Sequence, residues 1–485
     1  MAHTPTPPAT KQAGSKKPTR AAARKPARPK GLAQGRWQGD FPDLSPAEQH
    51  LVECCACGKA WVPKGWDGKR PEEATPANTI RAELIRFLVL GGDESHPAHE
   101  QGVMVRGAWV AGTLNLHQCH AKLQVDLQRC HIAEVPMFIA AHMPELVLTG
   151  SKLAGLDGAR IKVNSSVFFD EEFAATGEVH LIGAEIGGDL DCSDGTFTNA
   201  DGEALNADRI TVGGSLFFRT AKIEGAISLV DSQIGTLIDD DACWAAGGHV
   251  LDGLQYDRII GPTDAASRIR WLERQRADQL NEDDWSPQPW EQLVKTLRDM
   301  GHPLEATKVA IAKQERMRRA GKVGGPFAQL LHWIYGALAG YGYRPLRTVR
   351  AMLVVWVMAA VAFHFGGQAG YVGPTTPLFN SPALSGQVEQ HCGHGSETGK
   401  TPWTRCAAMP AEYTTFQPLI YSLDLILPLV DLQQEADWAP IVEDPPGRTL
   451  PFGAFLRWLM WFEILFGWAM SLMLVAVLGK LVNKD

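Results

Sequence analysis

Two uncharged runs near the C-terminal end constrain this chain most. Residues 351–367 (AMLVVWVMAAVAFHFGG) carry no charged side chain, and residues 458–479 carry only Glu463. At about 17 to 22 residues, each is long enough as a helix to cross a hydrocarbon core of roughly 30 Å with its backbone bonds closed internally. The pair predicts transmembrane helices at 346–368 and 457–480, making the lipid bilayer the first partner.

Charge placement orients them. Arg344, Arg347 and Arg350 precede the first run, and Lys480 and Lys484 follow the second. These ends belong in the cytoplasm, with both termini, and the loop 369–456 belongs outside. Residues 368–456 hold nine Asp/Glu against Lys400, Arg405 and Arg448. Cys392 and Cys406 lie in this loop, where a disulfide would close about 15 residues and contribute ~3 kcal/mol. The opposite charge collects at residues 1–36, with nine Lys/Arg and no acid. That segment lacks the apolar stretch of a secretory signal and reads as a disordered basic tail, 1–40, solvated or weakly drawn to anionic lipid or nucleic acid. No aromatic residues interleave its charges, so no specific nucleic-acid site is expected.

Two further apolar segments are shorter. Pro326–Tyr343 is flanked by Arg316, Arg318, Arg319 and Lys322 on one side and by Arg344 and Arg347 on the other. Crossing would strand one basic cluster outside, so an interfacial helix is expected. Residues 416–430 (FQPLIYSLDLILPLV) lie in the outer loop with Pro418 suited to a helix start and Pro428 to a stop. This stretch either re-enters between the two spans or lies on the surface.

Span, short re-entrant helix, span is the layout of two-span pore-loop channels, and Asp424, Asp431, Glu435 and Asp437 are candidate pore-mouth carboxylates. Where potassium channels carry TVGYG, this chain reads DLQQEADW. The string GYGY at 340–343 precedes the first span and cannot serve as that filter. His364 and Glu463 fall at comparable depths and form a candidate intramembrane polar pair, with snorkelling to the interface as the alternative.

Upstream lies a repeat. Apolar or small residues recur two and then three apart, as in Val103, Val105, Ala108, Val110 and Leu114, Leu116, Cys119, Ala121. The series continues through Val125, Leu127, Cys130, Ile132, then Val135, Met137, Ala140, and returns at 179–197 and 216–234, with units starting every ten or eleven residues. Segments 157–178 and 198–209 break the beat and read as loops. A five-residue beat with one bulky and one small inward position resembles the pentapeptide-repeat right-handed parallel β-helix, four short faces to a coil. Strict A(D/N)LxX repeats are absent, which makes this a degenerate relative. Each coil buries its inner face only against its neighbours, so the column needs caps.

Thr79–Leu90, with Ile80, Leu84, Phe87 and Leu88 on one helical face and Gly91-Gly92 at its end, is the expected cap. Ser45-Pro46-Ala47-Glu48 reads as a capping box opening a helix to Gly58. Cys54, Cys55 and Cys57 fall in its last turn, where the dipole disfavours thiolate. After the repeat, helices are expected at 264–280, 289–300 and 303–319, the last two resembling a tetratricopeptide hairpin. The domains are thus 1–40 tail, 41–100 helical cap, 101–252 parallel β-helix, 253–345 helical connector, 346–368 first span, 369–456 outer loop, and 457–480 second span.

Catalytic signals are sparse. Gly395 to Thr401 (GSETGKT) has one residue too few between its glycines for a P-loop, and no GxGxxG, GxSxG or HExxH occurs. Cys54 and Cys57 form a lone CxxC. His117, Cys119, His120, Cys130 and His131 sit in adjacent units, where Cys119 and Cys130 are read as inward, leaving a surface histidine cluster rather than a metal site. No catalytic, cofactor-binding or metal residue is assigned and no cofactor is implied; an enzyme is not the favoured class.

The arrangement resembles a group of bacterial membrane proteins in which a degenerate pentapeptide-like β-helix precedes two C-terminal spans. IRAELIRFLVLGGDESHPAHEQGVMVRGAW at 80–109, EVHLIGAEIGGDLDC at 178–192 and YSLDLILPLVDLQQEADWAP at 421–440 carry the resemblance. It implies the bacterial inner membrane and brings the label membrane-associated oxidoreductase. Three functions follow as expectations: an anchored scaffold presenting a cytoplasmic β-helix to an unknown protein partner; an oligomeric pore-loop-like channel, with homo-oligomers; and, by the label alone, an oxidoreductase.

Overall fold

A computed structural model describes residues 35, 37–94, 96–244, 248–276, 285–375, 388, 390–393, 400–410, 413–442 and 451–482. The chain divides into two compact units, Met1–Leu280 and Asn281–Asp485. Most of the basic tail, the GSETGKT string up to Gly399, and Lys484 lie outside the described residues.

The first unit is a parallel β-solenoid of about seven turns. Its ladder is readable down one face: Val103 pairs with Val125, Val125 with Leu146, Leu146 with Val167, Val167 with Leu190, Leu190 with Leu216, Leu216 with Leu237, and Leu237 with Ile259. One coil is therefore 20 to 26 residues, and the ten- to eleven-residue unit of the sequence is half of it. Three further ladders complete the coil, one through Trp109, His131, Lys152, Ala174, Thr196 and Lys222, one through His142, Lys162, Glu185, Thr211 and Gln233, and one through Leu156, Val179, Leu205 and Ile227. Inward residues are sealed, with Val105, Leu127, Cys130, Leu148, Ser151, Phe169, Cys192 and Phe218 fully buried. Because every backbone N–H and C=O on these faces points along the stack, each coil's hydrogen bonds are closed by the next.

The corners explain the period. Left-handed residues stand at Gly107, Gln118, Arg129, Ala140, Gly150, Arg160, Glu171, Gly183, Asp194, Arg209, Thr220 and Asp231. Apart from one wider gap, they recur every ten to twelve residues, one for each half-coil.

Several sequence expectations are corrected. Segment 157–178 is no loop: Lys162–Val163, Val167–Phe168 and Ala174–Ala175 are ladder strands, with Ile161, Val163, Val167, Phe169, Phe173, Ala175 and Val179 inward. Its apolar pairs lie four apart rather than three, because Ser165-Ser166, Glu171-Glu172 and Gly177-Glu178 each lengthen a corner. Residues 198–206 belong to the strand Thr196–Asn206, whose register shifts between Thr198 and Leu205 absorb the extra residues behind the wide corner gap. The Val135, Met137 assignment is one residue out of phase, since Val135 is exposed and Phe138, Ala141 and Met143 are buried; a single extra corner residue reverses which side chains face in. The strands also extend beyond 101–252, from Thr79 to Ile260.

At the N-terminal side, α1 (Pro46–Ala56) opens with the expected reciprocal box between Ser45 and Glu48. Glu48 is buried and also receives Arg81 Nε at 2.7 Å. Thr79–Arg81 is a strand pairing with Trp109–Ala111, not the first turn of a helix, and α2 (Ala82–Val89) follows it with Leu84, Ile85, Phe87 and Leu88 buried. Helix α3 (Ala265–Glu273) is shorter than its expected 264–280, of which 277–280 lie outside the described residues.

The second unit contains α4 (Gln288–Asp299) packed on α5 (Pro303–Arg319), then α6 (Pro326–Ala339), α7 (Pro345–Gln368), α8 (Pro418–Ile426), α9 (Gln434–Asp437) and α10 (Phe452–Val482). Two of these helices, α7 and α10, are long and apolar enough to cross a membrane. Cys392 and Cys406 are joined at a Cα–Cα distance of 5.7 Å.

Candidate functional site

The segment between α7 and α10 is built around α8, which begins at Pro418 and ends at Leu427-Pro428, as its two prolines dictate. It packs against both long helices. Trp356, midway along α7, donates its indole N–H to the Leu419 carbonyl at 2.9 Å, and the Tyr421 ring meets Phe363 edge-on at 4.9 Å. On the other side Gly467 of α10 lies so close to the Ile426 carbonyl that a Cβ there would stand 2.2 Å from its oxygen. Gly467 is what lets the two backbones meet.

The chain then turns back along its entry path. Asp424, buried in α8, accepts the N–H of Leu432 at 2.7 Å and of Glu435 at 2.9 Å. Gln434, also buried, accepts from Gln417 N at 3.1 Å and donates to Thr414 Oγ1 at 2.7 Å. Asp437 accepts from Thr414 N, and the Trp438 indole donates to the Thr414 carbonyl. Entry limb 414–417 and return limb 432–438 are thus cross-tied, and Trp438–Pro440 pairs antiparallel with Val372–Pro374.

This geometry sorts the four candidate carboxylates. Asp424 is spent on backbone N–H groups and is not a free acid at a mouth. Asp431, just before the return limb, and Glu435, on it, are exposed. Burial of its surroundings, then the nearby Asp424 and Asp431 carboxylates, raises the Glu435 carboxyl above its ordinary range. Asp437 is half-buried and tied to Thr414.

The His364–Glu463 pair does not form. His364 faces outward and bonds Gln368 at 2.6 Å, whereas Glu463 is fully buried against the Ser422 hydroxyl. One helical step separates His364 from Phe363, the residue that faces inward. Ser422, Trp356 and Gln434 escaped the sequence reading; Ser422 is the one hydroxyl other than Tyr421 in residues 416–430, the available signal.

In the first unit the Cys/His residues disperse. Cys130 is sealed inside, its thiol pushed up to about 12 by burial, while Cys119 is half-exposed beside Arg86. His131 stacks on Trp109 at 3.8 Å and His120 lies over His142 at 4.5 Å, rungs of two different ladders, and His117 is exposed. Among the described residues no group of three His, Cys, Asp or Glu is placed to hold a metal ion. Cys54 and Cys57 share the end of α1; burial raises both Cys54 and Cys55, the latter to about 11.

A buried ion pair missed by the sequence reading closes the last coil. Arg268 meets Asp239 through two bonds of 2.7 Å, donates to the Pro262 carbonyl and lies over the Trp271 ring, while Trp244 donates to Asp239. No protein-family description, curated protein or solved structure matches the chain.

Proposed function

We propose that the second unit is a membrane-embedded pore-loop module that assembles as a homo-oligomer and passes cations. The observation that carries this reading is the packing of α8 against both α7 and α10, with a return limb tied beside it. An anchor needs two spans and no such insertion. Only 22% of the most apolar window of each long helix is buried, which leaves Leu353, Val354, Val357, Val361, Phe365, Leu465, Leu472 and Val475 on open apolar faces suited to lipid or to a second copy. Gly367, one residue short of the end of α7, touches Phe416, and Trp356, eleven residues earlier on α7, touches Leu419; α8 itself has nine residues and is about 13 Å long at 1.5 Å per residue. Asp431 and Glu435 would draw cations toward the return limb.

The topology proposed is the one given by the flanking arginines: both termini cytoplasmic, in a bacterial inner membrane, with the Cys392–Cys406 loop outside. Phe327, Leu330, Leu331 and Trp333 on α6 are exposed next to the basic end of α5, as an interfacial helix requires. Four faces per coil with two inward residues on each favour the pentapeptide-like reading, and α2 beside the end strand Thr79–Arg81 favours a capping role.

Purified full-length protein in planar bilayers tests the proposal. Unitary cation currents are expected, with Asp431→Asn and Glu435→Gln lowering the cation-to-anion permeability ratio. Absence of current together with a monomer in nanodiscs sinks it and leaves the second reading, a membrane-anchored binding protein. The ladder stack Trp109–His131 on the solenoid face favours that second reading. The oxidoreductase label rests on resemblance alone, and a flavin, haem or nicotinamide spectrum in the purified protein is what would support it.

A further inference from the structure

Ser422 has one hydroxyl proton and two acceptors within reach. Its Oγ stands 3.0 Å from the Trp356 carbonyl oxygen and also in hydrogen-bond contact with Glu463 Oε1. One O–H cannot donate to both at once, and a second proton among the three oxygens would let both contacts be hydrogen bonds. Given to Glu463, that proton completes a chain in which the acid donates to Ser422 and Ser422 donates to Trp356.

Among the described residues no cation pairs with Glu463, which is fully buried on α10. On α8 its neighbour Asp424 is engaged by two backbone N–H groups. Arg457 of α10 reaches the Pro440 carbonyl, and His364 of α7 points to the outer face. Glu463 Oε2 and the Tyr421 hydroxyl are buried without a hydrogen-bond partner.

We propose that Glu463 is a proton-binding site, carried as a neutral carboxylic acid between α8 and α10 and linked through Ser422 to the backbone of α7. Its ligand is the proton alone. Loss of that proton turns the Ser422 hydroxyl from the Trp356 carbonyl to the carboxylate, breaking the link to α7 and leaving a buried charge between α8 and α10. The inference rests on the reading of α7 and α10 as membrane spans and not on conduction.

Two measurements on the full-length protein in proteoliposomes test it. Infrared spectra at neutral pH are expected to show a protonated-carboxyl band, shifted in D2O, absent from Glu463→Gln, and present but moved to higher frequency in Ser422→Ala. Dicyclohexylcarbodiimide, which adds the carboxyl O–H across its N=C bond and rearranges to a stable acylurea with no leaving group, is expected to label Glu463 in peptide maps, less so as pH rises. Identical carboxyl bands in wild type and Glu463→Gln, with no adduct at 463, overturn the proposal. A labelled Glu463 in a protein that carries no current retires the pore and keeps the proton site, and extraction of the protein by alkaline carbonate retires the spans themselves.

Discussion

Asp126 sits in the second rung of the solenoid between Met104 and Val147, six per cent exposed, with one carboxyl oxygen lacking any partner. Burial pushes it up to about 6, against weaker downward pulls from Gln128 and Arg106. The folded value lies above the unfolded one near 3.8, so the folded state holds the extra proton. Stability is unaffected below pH ~4, falls through the interval to 6, and above it carries a penalty of up to about 3 kcal/mol at 1.36 kcal/mol per unit. Asp126→Asn should therefore raise the thermal midpoint at pH 8 and leave it unchanged at pH 4. Equal shifts at both pH values would remove the titration argument. Arg268 behaves differently, because both partners of its ion pair are sealed. Arg268→Ala strands Asp239 and should cost about 3 to 5 kcal/mol, whereas Arg268→Met with Asp239→Leu should recover most of that; chemical denaturation of the three variants separates them. Neither residue announced itself in the sequence, since an isolated Asp or Arg has no period.

The elements of the solenoid were legible wherever corners were of constant length, and illegible where they were not. Val103 to Ile132 could be read directly; Val135 could not, because one added corner residue flips the inward set, and Phe169 could not, because three lengthened corners disguised its coil. The left-handed corner is the repeating device, and it is testable. Ala140 holds φ 51° with only a methyl group. Ala140→Gly should stabilise by roughly 0.5 to 1 kcal/mol by removing the Cβ clash of that conformation. At the equivalent corner Gly150, φ 66°, a Cβ would lie 3.1 Å from the Glu171 carbonyl. Gly150→Ala should destabilise by about 1 to 2 kcal/mol. Opposite signs in paired melts are the expected result, and like signs would argue that the corners are set by packing instead.

For the whole molecule, the sequence carried the apolar helices, the disulfide pair and the short helix between its two prolines, because length, charge and proline act locally. It did not carry the cross-tying of residues 414–417 to 432–438, which depends on Gln434 and Asp424 meeting partners brought close only by the turn. Cysteine-accessibility mapping reads the topology: with Cys392 and Cys406 kept, the accessible thiols of Cys57 and Cys119 replaced by Ser, and labelled sites identified by peptide mapping, cysteines placed at Thr375 and Arg319 should react with impermeant reagents from opposite sides of sealed vesicles. Labelling of both from one side would overturn the two-span arrangement.

The ladder from Val103 to Ile259 also fixes the grain in which this molecule can change length. Residues 146–166 make one circuit of the column, beginning and ending at the same azimuth, so their excision would join Glu145 to Val167 with the neighbouring rungs already aligned. Removal of ten residues would instead bring opposite walls of the column together. Descendants of this chain can therefore grow or shrink by whole circuits, each moving what lies at one end by a single strand spacing of about 4.8 Å.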